Sequence, residues 1–310
     1  MRREAGLALA ETALTAVLWG TSFPVISVGI KGGLDPRTFV FLRFAIAAPI
    51  MLAAAAALGK DVRRLFRSRG VWIVGLLNAA GFLCQFLGQQ YTDASVAALL
   101  VNLSVVLAAG GAAVFLGEKF GGLKVAGVVL AVLGTVLITT GGDFSVVTRS
   151  QAFGDGLYLI AAVSWAGYIV YAKKKTDEEK WDPLAVAACI VTVTAVAVLP
   201  AALTAGIGVS ISPGSLAVIG YTAVFNTVIP FVLYQAGLRY LSAATSAVVL
   251  MLEIVVAVMV SVAFLGETLP FVAWIGAGAV LGSILLVSGL ELGGKSLSVS
   301  SDNAAPVKDS

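Results

Sequence analysis

Glu253 is the residue best placed to do chemistry. It stands about eleven residues into a long apolar run, and no Lys or Arg lies within one turn of it. A carboxyl there can take up and release a proton, which suits proton coupling or the binding of a cationic group. It can equally be a protonated acid that only fixes packing. Asn78, Gln85 and Gln89 follow at separations of seven and four, which stacks three amides on one helical face. In the next run Ser95 and Asn102 share a face. Trp19 and Phe23 share a face, as do Tyr158, Trp165 and Tyr168, and Tyr234 adds an aromatic later in the chain. Together they describe a slot for an apolar or aromatic organic molecule, stacked on rings while the amides bind its polar end. Hydrogen bonds between helices and interfacial aromatic belts compete for the same residues. Arg43 reads as structural, either snorkelling or paired with a carboxylate.

Other chemistries lack their residues. There is no histidine, and the two cysteines, Cys84 and Cys189, lie inside apolar runs. Neither a metal site nor a disulfide framework is expected. Gly29-Ile30-Lys31-Gly32-Gly33 lacks the spacing of a phosphate-binding loop, so no cofactor is expected.

The elements that must carry these side chains are membrane spans. With 59% hydrophobic and 12% charged residues, the 310-residue chain has too little polar surface for a soluble globule, and its mean hydropathy is +0.99. Ten runs have the roughly twenty residues a helix needs to cross ~30 Å of hydrocarbon. They cover 7–30, 37–58, 71–91, 94–116, 122–141, 154–173, 183–205, 213–236, 242–265 and 269–290. The first is too long for a cleavable signal. Pro24 and Pro230 can kink the first and eighth helices and expose backbone carbonyls. Gly127, Gly134 and Gly141 in the fifth, and Gly276, Gly278 and Gly282 in the tenth, read as close-packing positions. The last two are in small-xxx-small spacing and serve within a monomer or between the copies of a homodimer.

The chain is also written twice. Phe115-Leu116-Gly117-Glu118 recurs as Phe264-Leu265-Gly266-Glu267, and the same offset carries Tyr91 onto Tyr240 and Gly127 onto Gly276. Trp19 answers Trp165, and Asp35-Pro36 answers Asp182-Pro183. Sixteen Lys and Arg fall at the termini and in even-numbered connections, against three (Lys31, Arg37 and Arg149) in odd-numbered ones. Basic loops stay inside, so both termini are expected in the cytoplasm and the net charge of +3 reflects topology, not nucleic-acid binding. Five spans per half is an odd number, so the halves enter the membrane in opposite directions. The expected architecture is an all-α membrane protein of ten transmembrane helices in two inverted five-helix repeats, residues 1–143 and 154–291. An external linker covers 144–153, and a disordered cytoplasmic tail covers 292–310.

Trp19-Gly20-Thr21-Ser22-Phe23, Leu42-Arg43-Phe44, the paired Leu-Gly-Glu ends of the fourth and ninth helices, and Leu252-Glu253 resemble the EamA-type branch of the drug/metabolite transporter superfamily. The resemblance runs from about residue 10 to 290. It implies a central path surrounded by helices 1, 3, 4, 6, 8 and 9, with helices 5 and 10 at the periphery. It also implies a plasma (inner) membrane exporter of amino acids or related small metabolites, in contact with membrane lipid and with protons as a candidate driving ion. Trp19, Phe23, Asn78, Gln85, Gln89, Asn102, Tyr158, Trp165, Tyr168 and Tyr234 are the expected substrate-binding set, and Glu253 the coupling residue. A multidrug or lipid-carrier translocase is the alternative. A membrane-embedded enzyme acting on lipid would need a polar cluster in its loops, which short loops without histidine do not provide. Family members usually carry a proline after the helix 9 glutamate and at the matching place in helix 4. Here those positions are Ile254 and Val105, which predicts less kinked helices.

Overall fold

Lipid offers no partner to a free backbone N–H or C=O, so runs this apolar close their hydrogen bonds internally as helices. The computed structural model describes residues 2–92, 94–145, 151–206, 212–266 and 268–293, and no strand occurs among them. Among the described residues ten helices are long and apolar enough to cross a membrane: α1 (Arg2–Lys31), α2 (Pro36–Ala57), α3 (Arg69–Gly88), α4 (Ala94–Phe115), α5 (Gly122–Thr140), α6 (Ala152–Glu179), α7 (Pro183–Ala205), α8 (Pro213–Leu238), α9 (Ala243–Phe264) and α10 (Phe271–Leu292). A short helix, Val62–Phe66, lies in the α2–α3 connection. Large apolar side chains cover the outside, with Phe271 78% and Leu285 74% exposed, as lipid contact permits. The protein is an integral membrane protein.

α6 outruns its expected end at 173. Lys173 pairs with Asp177 at 2.9 Å and Lys175 with Glu178 at 2.7 Å, and such i,i+4 and i,i+3 pairs support helix beyond the apolar run. The linker residues 146–150 and the tail residues 294–310 lie outside the described residues, as does Glu267.

The repeated motifs do the same local work twice. Asp35 caps α2, accepting from the Arg37 N–H at 2.9 Å and the Thr38 N–H at 3.3 Å. Asp182 caps α7, accepting from the Ala185 N–H at 3.1 Å and from Lys60 Nζ at 2.8 Å. In each the following proline sits where the helix needs no N–H. Partial burial works the other way, but the ion pairs and cap hydrogen bonds hold both carboxyls below the usual carboxylate range. That stabilisation is present above the ordinary carboxylate range and is lost as pH falls through the depressed values.

Glu118, at the end of the first Leu-Gly-Glu motif, reaches across the halves. Its carboxylate accepts from the Ala243 N–H at 2.7 Å and the Ala244 N–H at 3.4 Å, closing the start of α9. Lys124 lies 3.8 Å from it and donates to Ser242 Oγ at 2.8 Å. Glu118→Ala is expected to cost about 1 kcal/mol by uncapping α9. A thermal melt in nanodiscs would show the loss, and Glu118→Gln, which keeps an acceptor, should recover most of it.

Helix packing has the symmetry of the duplication. α5 packs on α10 and α2 on α7, each helix on its own repeat equivalent. α3 packs on α6 as α8 does on α1, and α4 packs on α6 as α9 does on α1. This is the pairing expected of two five-helix halves related by a two-fold axis. The α5–α10 crossing has backbone against backbone. A Cβ on Gly134 would lie 2.7 Å from the Gly276 carbonyl oxygen, and one on Gly276 would lie 2.5 Å from that of Gly134. The Gly278–Gly282 pair is not the close approach. A Cβ on Gly278 meets nothing within 4 Å, and one on Gly282 meets only Leu130 at 3.9 Å.

Two helices are interrupted. Within α8, Val224–Val228 form a π-turn in which the Ile229 N–H reaches back five residues to the Val224 carbonyl. α9 breaks at Met251 between Ala243–Leu250 and Leu252–Leu265. There the Met251 N–H bonds to Val248 O at 3.1 Å and the Ile254 N–H to Met251 O at 3.2 Å, each three residues back. A tighter turn therefore interrupts α9 without the proline, contrary to the expectation of a straighter helix. α4 is uninterrupted, as expected.

Candidate functional site

Pro230 has no N–H to return to the carbonyl of Asn226 four residues earlier. That carbonyl turns outward and accepts two side chains, Arg43 Nη2 at 2.6 Å and Trp19 Nε1 at 3.1 Å. Thr227 Oγ1 donates back to Thr222 O at 3.0 Å across the π-turn and accepts from Arg43 Nε at 2.6 Å. Asn226 Nδ2 donates to the Leu18 carbonyl and to Thr21 Oγ1, which ties the π-turn to α1. One local defect in α8 thus fixes a guanidinium from α2 and an indole from α1.

These two side chains form part of the wall of a cavity of about 80 Å³ in the middle of the bundle. Five aromatic residues, Trp19, Phe23, Phe82, Trp165 and Tyr168, line it. Phe82 meets Trp165 edge-on at 4.7 Å, Trp165 meets Tyr168 edge-on at 5.9 Å, and the Arg43 guanidinium lies 4.9 Å from the Phe82 ring centre. Trp165 Nε1 donates to Gln85 Oε1 at 3.3 Å, so amide and indole are held together. α9 contributes Ala247, Leu250, Met251 and Glu253, and its break at Met251 sets the carboxyl-bearing turn against the cavity.

Neither formally charged side chain in the cavity has a counter-ion among the described residues. Arg43 is 1% exposed, bonds only to neutral oxygens, and its Nη1 has no partner. Glu253 makes no hydrogen bond or ion pair among the described residues. Water-poor surroundings make uncompensated charge costly, so a cavity that keeps two such groups apart is suited to a polar or ionic guest and to proton exchange.

The structure brings seven of the eleven expected site residues to this cavity: Trp19, Phe23, Gln85, Asn102, Trp165, Tyr168 and Glu253. It leaves four outside the lining. Asn78 is fully buried against α7, where its Nδ2 donates to Thr194 Oγ1 at 2.8 Å. Gln89 forms the C-cap of α3, beyond the cavity. Tyr158 packs with Ala97 and Val101 and against Trp165, but does not itself line the cavity. Tyr234 lies behind the wall, stacked on Tyr168 at 5.9 Å and tilted against Trp19 at 5.7 Å. The expected ring of helices changes accordingly. α2 lines the cavity through Arg43, and α8 backs it without lining it, because its outward carbonyl receives side chains that reach past it. Ser22, Arg43, Phe82, Ser104 and Met251 also line the cavity and were not in the expected set. For Arg43 the missed signal was a charge inside a span whose eighth-helix neighbour carries Asn226-Thr227 four and three residues before Pro230.

A family model described as "EamA-like transporter family" matches residues 6–140 and 152–289. An uncharacterized transporter of Archaeoglobus fulgidus is 30% identical over 250 residues, covering 76% of this chain and 81% of that one. A probable terminal-alkyne amino-acid exporter of Streptantibioticus cattleyicolor is 29% identical, over 90% of this chain and 93% of its own. The inner membrane transporter YedA of Escherichia coli is 26% identical, over 88% and 87%. A solved crystal structure superposes with a TM-score of 0.77 at 19% identity, covering 92% of this chain and 97% of the other, which is a likeness of fold.

Proposed function

Because this chain belongs to the EamA-like transporter family, we propose that it is a secondary transporter exporting amino acids or related small metabolites by alternating access. The observation that carries this reading is the mid-bundle cavity, where aromatic rings, amides and two unpaired groups of opposite charge converge. Rings grip an apolar side chain, and the polar groups bind the ends of a charged metabolite. The exporter named from Streptantibioticus supports the substrate class. Inverted repeats provide the motion, one bundle rocking against the other about the cavity. The sixteen-to-three distribution of Lys and Arg favours cytoplasmic termini, and the Escherichia coli relative named an inner membrane transporter supports the plasma (inner) membrane. A reporter fused after Lys295 is expected inside and one inserted at Ser145 outside; both on one side would remove the inversion.

The functional test is metabolite profiling of cells with and without the protein, at matched abundance. Gln85→Leu is expected to leave folding near normal and to cut export by about tenfold or more, since its amide serves the cavity. Asn78→Leu is the contrast. It removes one bond to Thr194 Oγ1, which keeps its own bonds to the Ile190 and Gly75 carbonyls, so it should lower stability by about 1 kcal/mol while export per folded molecule holds. A reversed pattern would place the path elsewhere.

A further inference from the structure

Arg43 is a cation with one unused donor. Nε is held by Thr227 Oγ1 and Nη2 by the Asn226 carbonyl, each at 2.6 Å, and one face of the group lies over Phe82. Those contacts fix the orientation of the fork. They do not neutralise it, because a hydroxyl, a carbonyl and a ring carry no formal negative charge. Nη1 is buried without a partner, and the residue lines the cavity. Packing alone would not need a guanidinium here: a neutral donor could satisfy the Asn226 carbonyl without stranding a charge. A guanidinium pre-oriented by neutral partners, with a donor left over, is the form of an anion receptor.

We propose that Arg43 is the carboxylate anchor of this site: Nη1 receives an oxygen of the substrate carboxylate, while Nε and Nη2 stay bound to α8. The inference rests on the transporter reading above and adds the group that is recognised. Glu253 lies in the same cavity but makes no ion pair with Arg43, so the guanidinium is free for an incoming anion. The π-turn and Pro230 are then part of the recognition device, since they turn the carbonyl that aims Arg43. Selectivity follows from the same geometry. A carboxylic acid compensates the buried charge, whereas its amide leaves that charge alone and adds a polar group to desolvate.

The test compares each of the twenty standard amino acids with its own carboxamide, by thermal stabilisation of the full-length protein in nanodiscs. At least one acid is expected to stabilise the wild type, with an apparent Kd about tenfold or more below that of its amide. Arg43→Lys, which keeps the charge and loses the fork, should shrink that ratio, and Arg43→Met should bring it to about one. Equal binding of acid and amide by the wild type overturns the anchor and leaves amino-acid transport standing. A ratio unchanged in Arg43→Met also overturns it, because a merely structural arginine would not set the acid-to-amide ratio. No stabilisation by either member of any pair overturns both the anchor and the amino-acid reading. If Arg43→Met fails to fold, the wild-type comparison and Arg43→Lys decide the matter.

Discussion

Vesicles carrying Glu253→Gln are expected to exchange substrate between equal pools as the wild type does, and to lose accumulation driven by a pH difference. The substitution keeps the shape and the hydrogen-bonding capacity of the side chain but cannot ionise. Glu253 lines the cavity and its carboxyl makes no hydrogen bond or ion pair among the described residues, so its charge changes only by taking or giving a proton. One proton moved per solute across a one-unit pH difference supports about a tenfold concentration ratio, since one pH unit is worth ~1.36 kcal/mol. The wild type should approach that ratio and fall to one when the gradient is collapsed. The Gln variant should stay near one in both conditions. Undiminished pH-driven accumulation in the variant would remove Glu253 from coupling and leave it as a packing residue.

Gly276→Val should be among the most damaging single changes to stability. The new Cβ would lie 2.5 Å from the Gly134 carbonyl oxygen and 2.8 Å from the Ile138 nitrogen. Both are backbone atoms, so no rotamer change relieves the clash and α5 must move away from α10. In a bilayer, such helix pairs are held mainly by van der Waals contact along the crossing, and separating them forfeits much of it. A loss of about 2–3 kcal/mol is expected, seen as reduced membrane abundance and a lowered melting temperature. Gly278→Val is the control on the same helix: with open space around its Cβ it should behave like the wild type. Equal damage from the two would mean that intrinsic helix propensity, not the crossing, governs this position.

Features set by residue type over short distances were legible in the sequence. Ten apolar runs became ten helices because lipid leaves the backbone no alternative. The two Asp-Pro steps became twin caps. Features decided by which helices meet were not legible. Asn78 shares a face with Gln85, yet two turns away along α3 that face meets α7, where Thr194 accepts from it. Tyr158 and Tyr234 pack against lining residues without reaching the cavity themselves. Gly276 and Gly278 are indistinguishable as letters, and only the crossing separates them. Arg43 read as structural because its partners lie nearly two hundred residues on; a backbone carbonyl freed by Pro230 leaves no motif near Arg43 itself.

The cavity at the centre of the bundle is the claim on which the rest depends, and accessibility from the two faces tests it most directly. Ser104 lines the cavity from α4 and is partly exposed there. With Cys84 and Cys189 replaced, Ser104→Cys would be treated in sealed vesicles with a membrane-impermeant thiol reagent, applied from one face and then from the other. Alternating access predicts modification from both faces, each slowed when a transported amino acid is present. Modification from one face only, unchanged by any amino acid, would contradict the account.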